Sequence, residues 1–281
     1  MTRRFTIRRV VEDSLLHLIL ILLALFMILP FIWMVSTSLK PISEVFQSPP
    51  QILSPNASFD AYVTLFTEKS FARNMVNTFV VAGGATALRL FFCALGGYGF
   101  AKYNFRGKNG LFGLVLATLV IPFGIMLIPL YYIMLQLQWI DSFLPLIIPG
   151  AANAFGIFFM RQYISTVPDE LLDASRIDGA SEFAIFWRVI LPVVSPGLVS
   201  LGLIFFMGSW NDYLFPLIIL KSPENFTLPL TIRSLIAGGL GRPVYNLQMA
   251  GSVISIIPLL IIFLVFQRRF IDGITAGAIK S

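Results

Sequence analysis

The chain carries very little charge. Of 281 residues only 12% are Asp, Glu, Lys or Arg, against 57% that are hydrophobic, whereas soluble chains carry about 25% charged residues. So few charges cannot cover a water-facing surface, which excludes a soluble enzyme and a disordered tail. Cysteine is almost absent too. Cys93 stands alone, so neither an intrachain disulfide nor a cysteine metal cluster can form. His17 is the single histidine, which excludes a His-rich metal site. Acids are outnumbered 14 to 20 by Lys and Arg, giving a net charge of +6. In a chain this apolar the placement of positive charge speaks to membrane orientation, and nucleic acid is not expected as a partner. The phosphate-cradling pattern Gly-x4-Gly-Lys-Ser/Thr is also missing, so the chain has no nucleotide-hydrolysing loop of that kind.

What is present is length of apolar run. Mean hydropathy is +0.85, and a helix needs roughly 20 mostly apolar residues to cross a bilayer. Six segments qualify: 15–35, 78–101, 111–132, 143–164, 196–220 and 249–266. None alternates with a period of two as barrel strands do, which predicts an all-α membrane protein of six transmembrane helices in contact with lipid. With the N-terminus in the cytoplasm, thirteen Lys and Arg fall inside and six outside, Arg89 being left in the membrane. That excess predicts that both termini are cytoplasmic. The layout is then a cytoplasmic N-terminus over 1–14, a transmembrane domain over 15–266 and a cytoplasmic tail over 267–281. The first run is of full length and lacks a small-residue cleavage site, so it reads as an uncleaved anchor. Pro30, Pro122, Pro129, Pro145, Pro149, Pro196, Pro216 and Pro258 lie in or beside every span but the second, which has Gly83, Gly84, Gly96 and Gly97 instead. Such residues predict bent helices and close backbone approach.

The loop over 165–195 has unusual chemistry for a connector. Pro168 suits a helix start, and Asp169 and Glu170 place negative charge at the positive end of its dipole. Val167, Leu171, Ala174 and Ile177 share one face at helical spacing. Gly179 suits a left-handed stop, and Ser181 can cap a second helix. That helix carries Phe183, Phe186, Trp187 and Ile190 on one face until Leu191-Pro192 ends it. An amphipathic segment lying on lipid is the simpler reading, but such helices carry Lys and Arg on their polar face. Here five acids (Asp169, Glu170, Asp173, Asp178, Glu182) face Arg176 and Arg188. Anionic headgroups repel that arrangement, so a protein partner explains it better.

Asp173-Ala-Ser, three residues, Gly179, nine residues and Val189-Ile-Leu-Pro192 resemble the E-A-A-x3-G-x9-I-x-L-P signature of bacterial ATP-binding-cassette importer permeases. Asp173, Ser175 and Val189 depart from it conservatively. The resemblance implies a type I importer permease fold, in which this loop forms cytoplasmic coupling helices docked on an ATPase subunit. The residues it assigns to coupling are Asp169, Glu170, Asp173, Ala174, Ser175, Asp178, Gly179, Ala180, Phe183, Leu191 and Pro192. Leu29-Pro-Phe-Ile-Trp-Met-Val-Ser-Thr-Ser-Leu-Lys-Pro41, Trp210-Asn-Asp-Tyr-Leu-Phe-Pro216 and the run from Phe266 to Lys280 resemble the smaller, six-span permease of the maltose-type carbohydrate importers.

That likeness implies a subunit of the bacterial inner membrane that moves a sugar or oligosaccharide inward by alternating access. The partners it implies are a second related permease, two ATPase subunits and an extracytoplasmic solute-binding protein. The chain itself would hold no cofactor, ATP and Mg belonging to the ATPase partners. The outer loop 221–247, with Gly238, Gly239 and Gly241 suiting a flexible tip, would reach the binding protein. The longer outer loop 40–77 would face it as well, and the tail would reach the ATPase interface.

Arg89 and Asp212 are the charged residues well inside the spans, Arg161 and His17 lying near span ends, and a charge in the membrane marks function by default. Either they pair or flank one polar pathway, or Asp212 lines an outer vestibule while Arg89 meets the partner permease. Asn153, Trp210, Asn211 and Tyr213 join them as pathway candidates, because amides suit sugar hydroxyls and aromatic faces suit pyranose rings; Asn is also common glue between membrane helices. An ion-gradient carrier, a non-transporting scaffold and a non-sugar solute are the alternatives to this reading.

Overall fold

The computed structural model describes residues 7–67, 70–237 and 244–276, with side chains described over 12–67, 70–236 and 244–268. Among the described residues the regular structure is helical, with no strand. In chain order the helices are α1 (Ile7–Ser38), α2 (Asp60–Thr67), α3 (Phe71–Lys102), α4 (Lys108–Ala117), α5 (Phe123–Gln136), α6 (Leu144–Ile147) and α7 (Ala154–Ile164). They continue as α8 (Asp169–Ile177), α9 (Glu182–Ile185), α10 (Leu191–Val193), α11 (Ser195–Trp210), α12 (Leu214–Ile219), α13 (Leu228–Ala237) and α14 (Tyr245–Ala276).

Of the six expected spans, some are continuous helices and others are interrupted. Among the described residues three helices are long and apolar enough to cross a membrane unaided: Glu12–Ser38, Phe71–Lys102 and Tyr245–Arg268. The number reaches five only if two bent pairs each count as one span. The third expected span is α4 and α5, bent by 100° at Ile121-Pro122. Ile121, the residue before the proline, is extended (φ −77°, ψ 113°), the conformation that the ring of Pro122 favours there. The fourth is a four-residue α6, an irregular stretch around Pro149-Gly150, and then α7. The fifth is α11 and α12, parted at Asn211-Asp212-Tyr213. A hydropathy window sees apolar length; it does not see that a backbone hydrogen bond is missing inside the run. Pro30, Pro129 and Pro258, by contrast, sit within α1, α5 and α14 without ending them.

The chain forms two compact units. One draws on 1–69 and 232–254. In it the turn after α1 is held by polar contacts: Ser38 Oγ meets Tyr62 Oη at 2.7 Å, and Asn246 Nδ2 donates to Lys40 O at 3.2 Å. Lys40 lies over the Trp33 ring at 4.5 Å and donates to Gln51 O. The most apolar stretch of α1 has none of its residues buried within the chain. Its large side chains therefore need lipid or another subunit around them.

The second unit draws on 70–231 and 255–281. Its core joins Cys93, Ala94 and Tyr98 of α3, Met160 and Ile164 of α7, Leu201 and Phe205 of α11, and Val167, Leu172, Phe186 and Ile190 of the loop between them. The closest approach is α3 against α7. A Cβ added at Gly97 would lie 2.6 Å from Met160 Cβ and 2.8 Å from Arg161 N, both held by the facing backbone. A Cβ at Gly156 would meet Cys93 Sγ at 2.6 Å and Phe205 Cζ at 2.7 Å. Small residues let membrane helices pack backbone to backbone, and these two glycines do so from opposite sides of one contact. Arg161 stacks over Phe112 at 4.0 Å, tying α7 to α4. Gly97→Leu is expected to force α3 and α7 apart and to destabilise the subunit by about 1–3 kcal/mol or more. Thermal denaturation in detergent checks this, with Gly99→Leu, which meets nothing within 4 Å, as the tolerated control.

Candidate docking segment and helix-break site

The segment 165–195 is anchored on one side and open on the other. Pro168 caps α8, which begins at Asp169, and Ser181 Oγ accepts from Ala184 N at 3.3 Å to start α9. Gly179 has φ +79°, the left-handed conformation that a glycine tolerates best. Residues Phe186–Ile190 form a π turn, and the helix then resumes over Leu191–Val193. The helix from Glu182 ends at Val193, beside Pro192, and the chain bends by 80° into α11; the π turn lies just before the proline, whose missing N–H cannot serve the usual carbonyl.

The apolar faces also differ from the expected ones. On α8 it is Leu172 that is buried, together with Val167 before the helix, while Leu171, Ala174 and Ile177 point outward. Ile177 is 86% exposed. On the second helix Phe186 and Ile190 are buried, but Phe183 is 60% and Trp187 48% exposed. The two helices thus turn apolar side chains to the outside around the Gly179 hinge. Beside them opens a groove of about 550 Å³ lined by Ser175, Asp178, Gly179, Ala180, Ser181 and Arg188 among others.

Charge holds the anchored side. Lys102 Nζ, at the end of α3, meets Asp169 Oδ1 at 2.6 Å and also donates to Val167 O. Arg176 bridges Asp173 Oδ1 at 2.9 Å and Glu182 Oε1 at 2.8 Å, and so clamps α8 to α9 across the hinge. Tyr98 Oη donates to Glu182 Oε2 at 3.3 Å, and Tyr103 Oη donates to the same oxygen. The hydrogen bonds from Arg176, then Tyr103, pull the Glu182 carboxyl down to about 2. The Lys102 hydrogen bond holds Asp169 below its ordinary value, and the contact with Glu182 pushes Arg176 up. Desolvation raises the Tyr103 phenol, so it remains a donor. Ser175 Oγ bonds back to Leu171 O at 2.8 Å, Leu191 packs on the core, and Glu170, Asp178 and Pro192 are exposed.

The membrane candidates gather at the helix breaks. Arg89, on α3, is half-buried; its guanidinium lies against Gly150, and its Cζ is 5.7 Å from the Phe205 ring. Its Nε is buried with no hydrogen-bond partner among the described residues. No nitrogen of Arg89 comes within 4.0 Å of an oxygen of Asp212, so the two do not form an ion pair in this conformation. Asp212 Oδ1 instead accepts from Phe215 N at 3.4 Å and starts α12. Asn153 caps α7 by accepting from Gly156 N at 3.0 Å, and Asn211 Nδ2 donates to Met207 O at 2.9 Å at the end of α11. Trp210 is packed inside the chain in this conformation. It is wholly buried, stacked on Phe206, edge-on to Phe79 and donating to Ser255 O at 3.1 Å, so no face of it is open to a solute. Tyr213 is partly buried against Phe215 and its neighbours. Gly238, Gly239 and Gly241 lie outside the described residues.

At the Phe71 end of α3 a polar clasp appears that the sequence reading missed. Asn74 Nδ2 donates to Pro223 O (2.9 Å) and Phe226 O (2.8 Å), and Asn77 Nδ2 to Glu224 O (2.7 Å) and Phe226 O (3.1 Å). Thr78 Oγ1 accepts from Leu228 N at 2.7 Å. Asp141, at φ 61°, accepts from Lys221 N (2.9 Å), Ser222 N (3.0 Å) and Ser222 Oγ (2.5 Å). Burial opposes its charge, but the bonds from Ser222 and Lys221 prevail and hold it at about 2. The signal for α3 was available: Asn74, Asn77 and Thr78 fall at i, i+3 and i+4, one polar face at the mouth of an apolar run.

Continuous and broken apolar helices, with an anchored segment that turns apolar side chains outward, define a polytopic helical membrane protein. The family model of binding-protein-dependent transport system inner membrane components matches residues 91–277, and the chain belongs to that family. It is 38% identical over 269 residues to the arabinooligosaccharides transport system permease protein AraQ of Bacillus subtilis (strain 168), covering 95% of each. It is 32% identical over 275 residues to the lactose transport system permease protein LacG of Rhizobium radiobacter, covering 98% of this chain and 99% of that one. A third relative, 31% identical over 269 residues, is the sn-glycerol-3-phosphate transport system permease protein UgpE of Yersinia pestis, covering 93% of this chain and 95% of that one. Among solved structures it is similar to a chain of a bacterial ABC transporter involved in the import of the acidic polysaccharide alginate. The TM-score is 0.84 at 25% identity, over 96% of this chain and 100% of that chain.

Because the Glu182 carboxyl sits below its ordinary 4.5, its share of the clamp is full above that pH and is lost as pH falls toward about 2. Acid titration is expected to release α9 over that window, read as a change in Trp187 fluorescence. Glu182→Gln should abolish this transition; an unchanged titration in the variant would mean that another group holds the segment.

Proposed function

We propose that this chain is the transmembrane permease of an ATP-driven importer for a neutral sugar or oligosaccharide. Both termini lie in the cytoplasm, and 165–195 is the coupling segment on which an ATPase subunit docks. The observation that carries the reading is the exposed set Ile177, Phe183 and Trp187, held firm by Lys102, Arg176 and Glu182 beside an open groove. Apolar side chains on a charge-anchored hinge suit insertion into a protein cleft, since such residues cluster at the buried centres of interfaces. The arabinooligosaccharide and lactose relatives support the substrate class.

The working assembly comprises this chain, a second related permease, two ATPase subunits that hold ATP and Mg, and an extracytoplasmic solute-binding protein. ATP-driven closure of the ATPase dimer moves 169–192 and, through the core around α3 and α7, turns the solute cavity outward. Residues 15–266 form the membrane domain, 221–247 face the binding protein, and the tail 267–281 reaches toward the ATPases. Arg89, Asn153, Asn211, Asp212 and Tyr213, gathered near the helix breaks, flank the passage. A phosphorylated polyol is the second reading: UgpE supports it, as does the half-buried Arg89 guanidinium without an ion pair.

Proteoliposomes of the complete assembly decide between them. ATP-dependent uptake of lactose or arabinotriose is expected, with sn-glycerol 3-phosphate failing to compete. Ile177→Asp with Phe183→Asp should cut uptake by about tenfold or more, the loss of one interface hot spot, with the subunit still inserted. Uptake without ATP, or full uptake in the double variant, would overturn the coupling role.

A further inference from the structure

The first unit contains a pocket that no step above uses. It lies where α1 ends and α14 begins, has a volume of about 410 Å³, and is lined by Trp33, Thr37, Phe46, Gln47, Ser48 and Tyr245 among others. That volume falls within the range of small-molecule sites, about 300–1,000 Å³. Its lining combines two kinds of group. Trp33, Phe46 and Tyr245 supply aromatic surface, and Phe46 stands edge-on to Tyr245 with ring centroids 5.0 Å apart, forming an aromatic corner. Gln47, Ser48 and Thr37 supply amide and hydroxyl groups. Thr37 is 3% exposed, and its hydroxyl is buried with no hydrogen-bond partner among the described residues. An orphaned buried hydroxyl is costly unless something completes it.

The lining holds no Asp, Glu, Lys, Arg or His. The nearby cation, Lys40, is spent on the Trp33 ring and on Gln51 O. A charged ligand would find no counter-charge here, and a purely apolar one would strand the amide and hydroxyls. A ligand with a C–H face for the rings and hydroxyls for the polar rim satisfies both.

We propose that this pocket is a subsite for one or two units of a neutral oligosaccharide. The Phe46–Tyr245 corner takes the apolar face of the sugar, and Gln47 and Ser48 hydrogen-bond its hydroxyls. The inference rests on the reading that the transported solute is a neutral sugar.

The test uses the full chain in lipid nanodiscs without binding protein, titrated with lactose, maltotriose and arabinotriose and read by saturation-transfer NMR. At least one sugar should bind saturably. Phe46→Ala should weaken it by about tenfold, the effect of losing one good contact, and Phe46→Tyr should restore it. Phe46 is 73% exposed, so neither change threatens the fold. Thr37→Val provides a second probe and should also weaken binding. Saturable binding of none of the three sugars, or equal affinity in Phe46→Ala and the unaltered chain, would overturn the subsite. Uptake by the complete assembly is measured separately, so transport without pocket binding defeats this inference alone, and absence of transport defeats the functional reading.

Discussion

The contact between α3 and α7 through Gly97 and Gly156 is the constraint on which the second unit depends. Neither position has room for a methyl group, so the two backbones approach as closely as helices can. The core residues of the 165–195 segment close over that contact: Val167, Leu172, Phe186 and Ile190 pack on the same cluster as Cys93, Tyr98 and Met160. α3 is also the longest uninterrupted element of this unit, 32 residues, or about 48 Å. One end is tied to the amphipathic segment through Lys102, Tyr98 and the neighbouring Tyr103, and the other to 221–228 through Asn74, Asn77 and Thr78. The broken helices α6–α7 and α11–α12 are arranged around this straight one.

That arrangement separates two tasks. Straight, glycine-packed backbone fixes distances, while unwound stretches leave polar groups available inside an apolar run. Irregular backbone at membrane depth is tolerated only where protein or water satisfies it. Asn153, Asn211 and Asp212 meet that requirement by capping the very helices they interrupt. Arg89 does not, since its Nε has no hydrogen bond among the described residues. A guanidinium left in this condition beside two helix breaks marks where the conformation has a reason to change.

Much of this was legible in the sequence, for identifiable reasons. The helical class, the three uninterrupted spans and the hinge at Gly179 followed from apolar length and from the one residue type that tolerates positive φ. The capping by Ser181 was equally direct. Periodicity assigns a face without saying which way it points. Val167, Leu171, Ala174 and Ile177 share a face by spacing, yet Val167 is buried with Leu172 while the other three point outward. Trp210 stands beside Asn211 and Asp212 in sequence, yet its indole packs against Phe79 and Phe206. The breaks near Pro122, Pro149 and Asp212 interrupt three of the expected spans, which apolar length alone does not register. The clasps of Asn74, Asn77 and Asp141 join residues separated by 80 positions or more, and no local pattern specifies such partners.

The central claim is that the outward face of 165–195 is a seat for a nucleotide-driven partner. The most direct measurement places a photo-crosslinker at Ile177 in native membranes and follows its adducts with and without ATP and vanadate. A crosslink to an ATPase subunit is expected, with a yield that changes with the nucleotide state. Adducts to lipid alone, in every state, would contradict it.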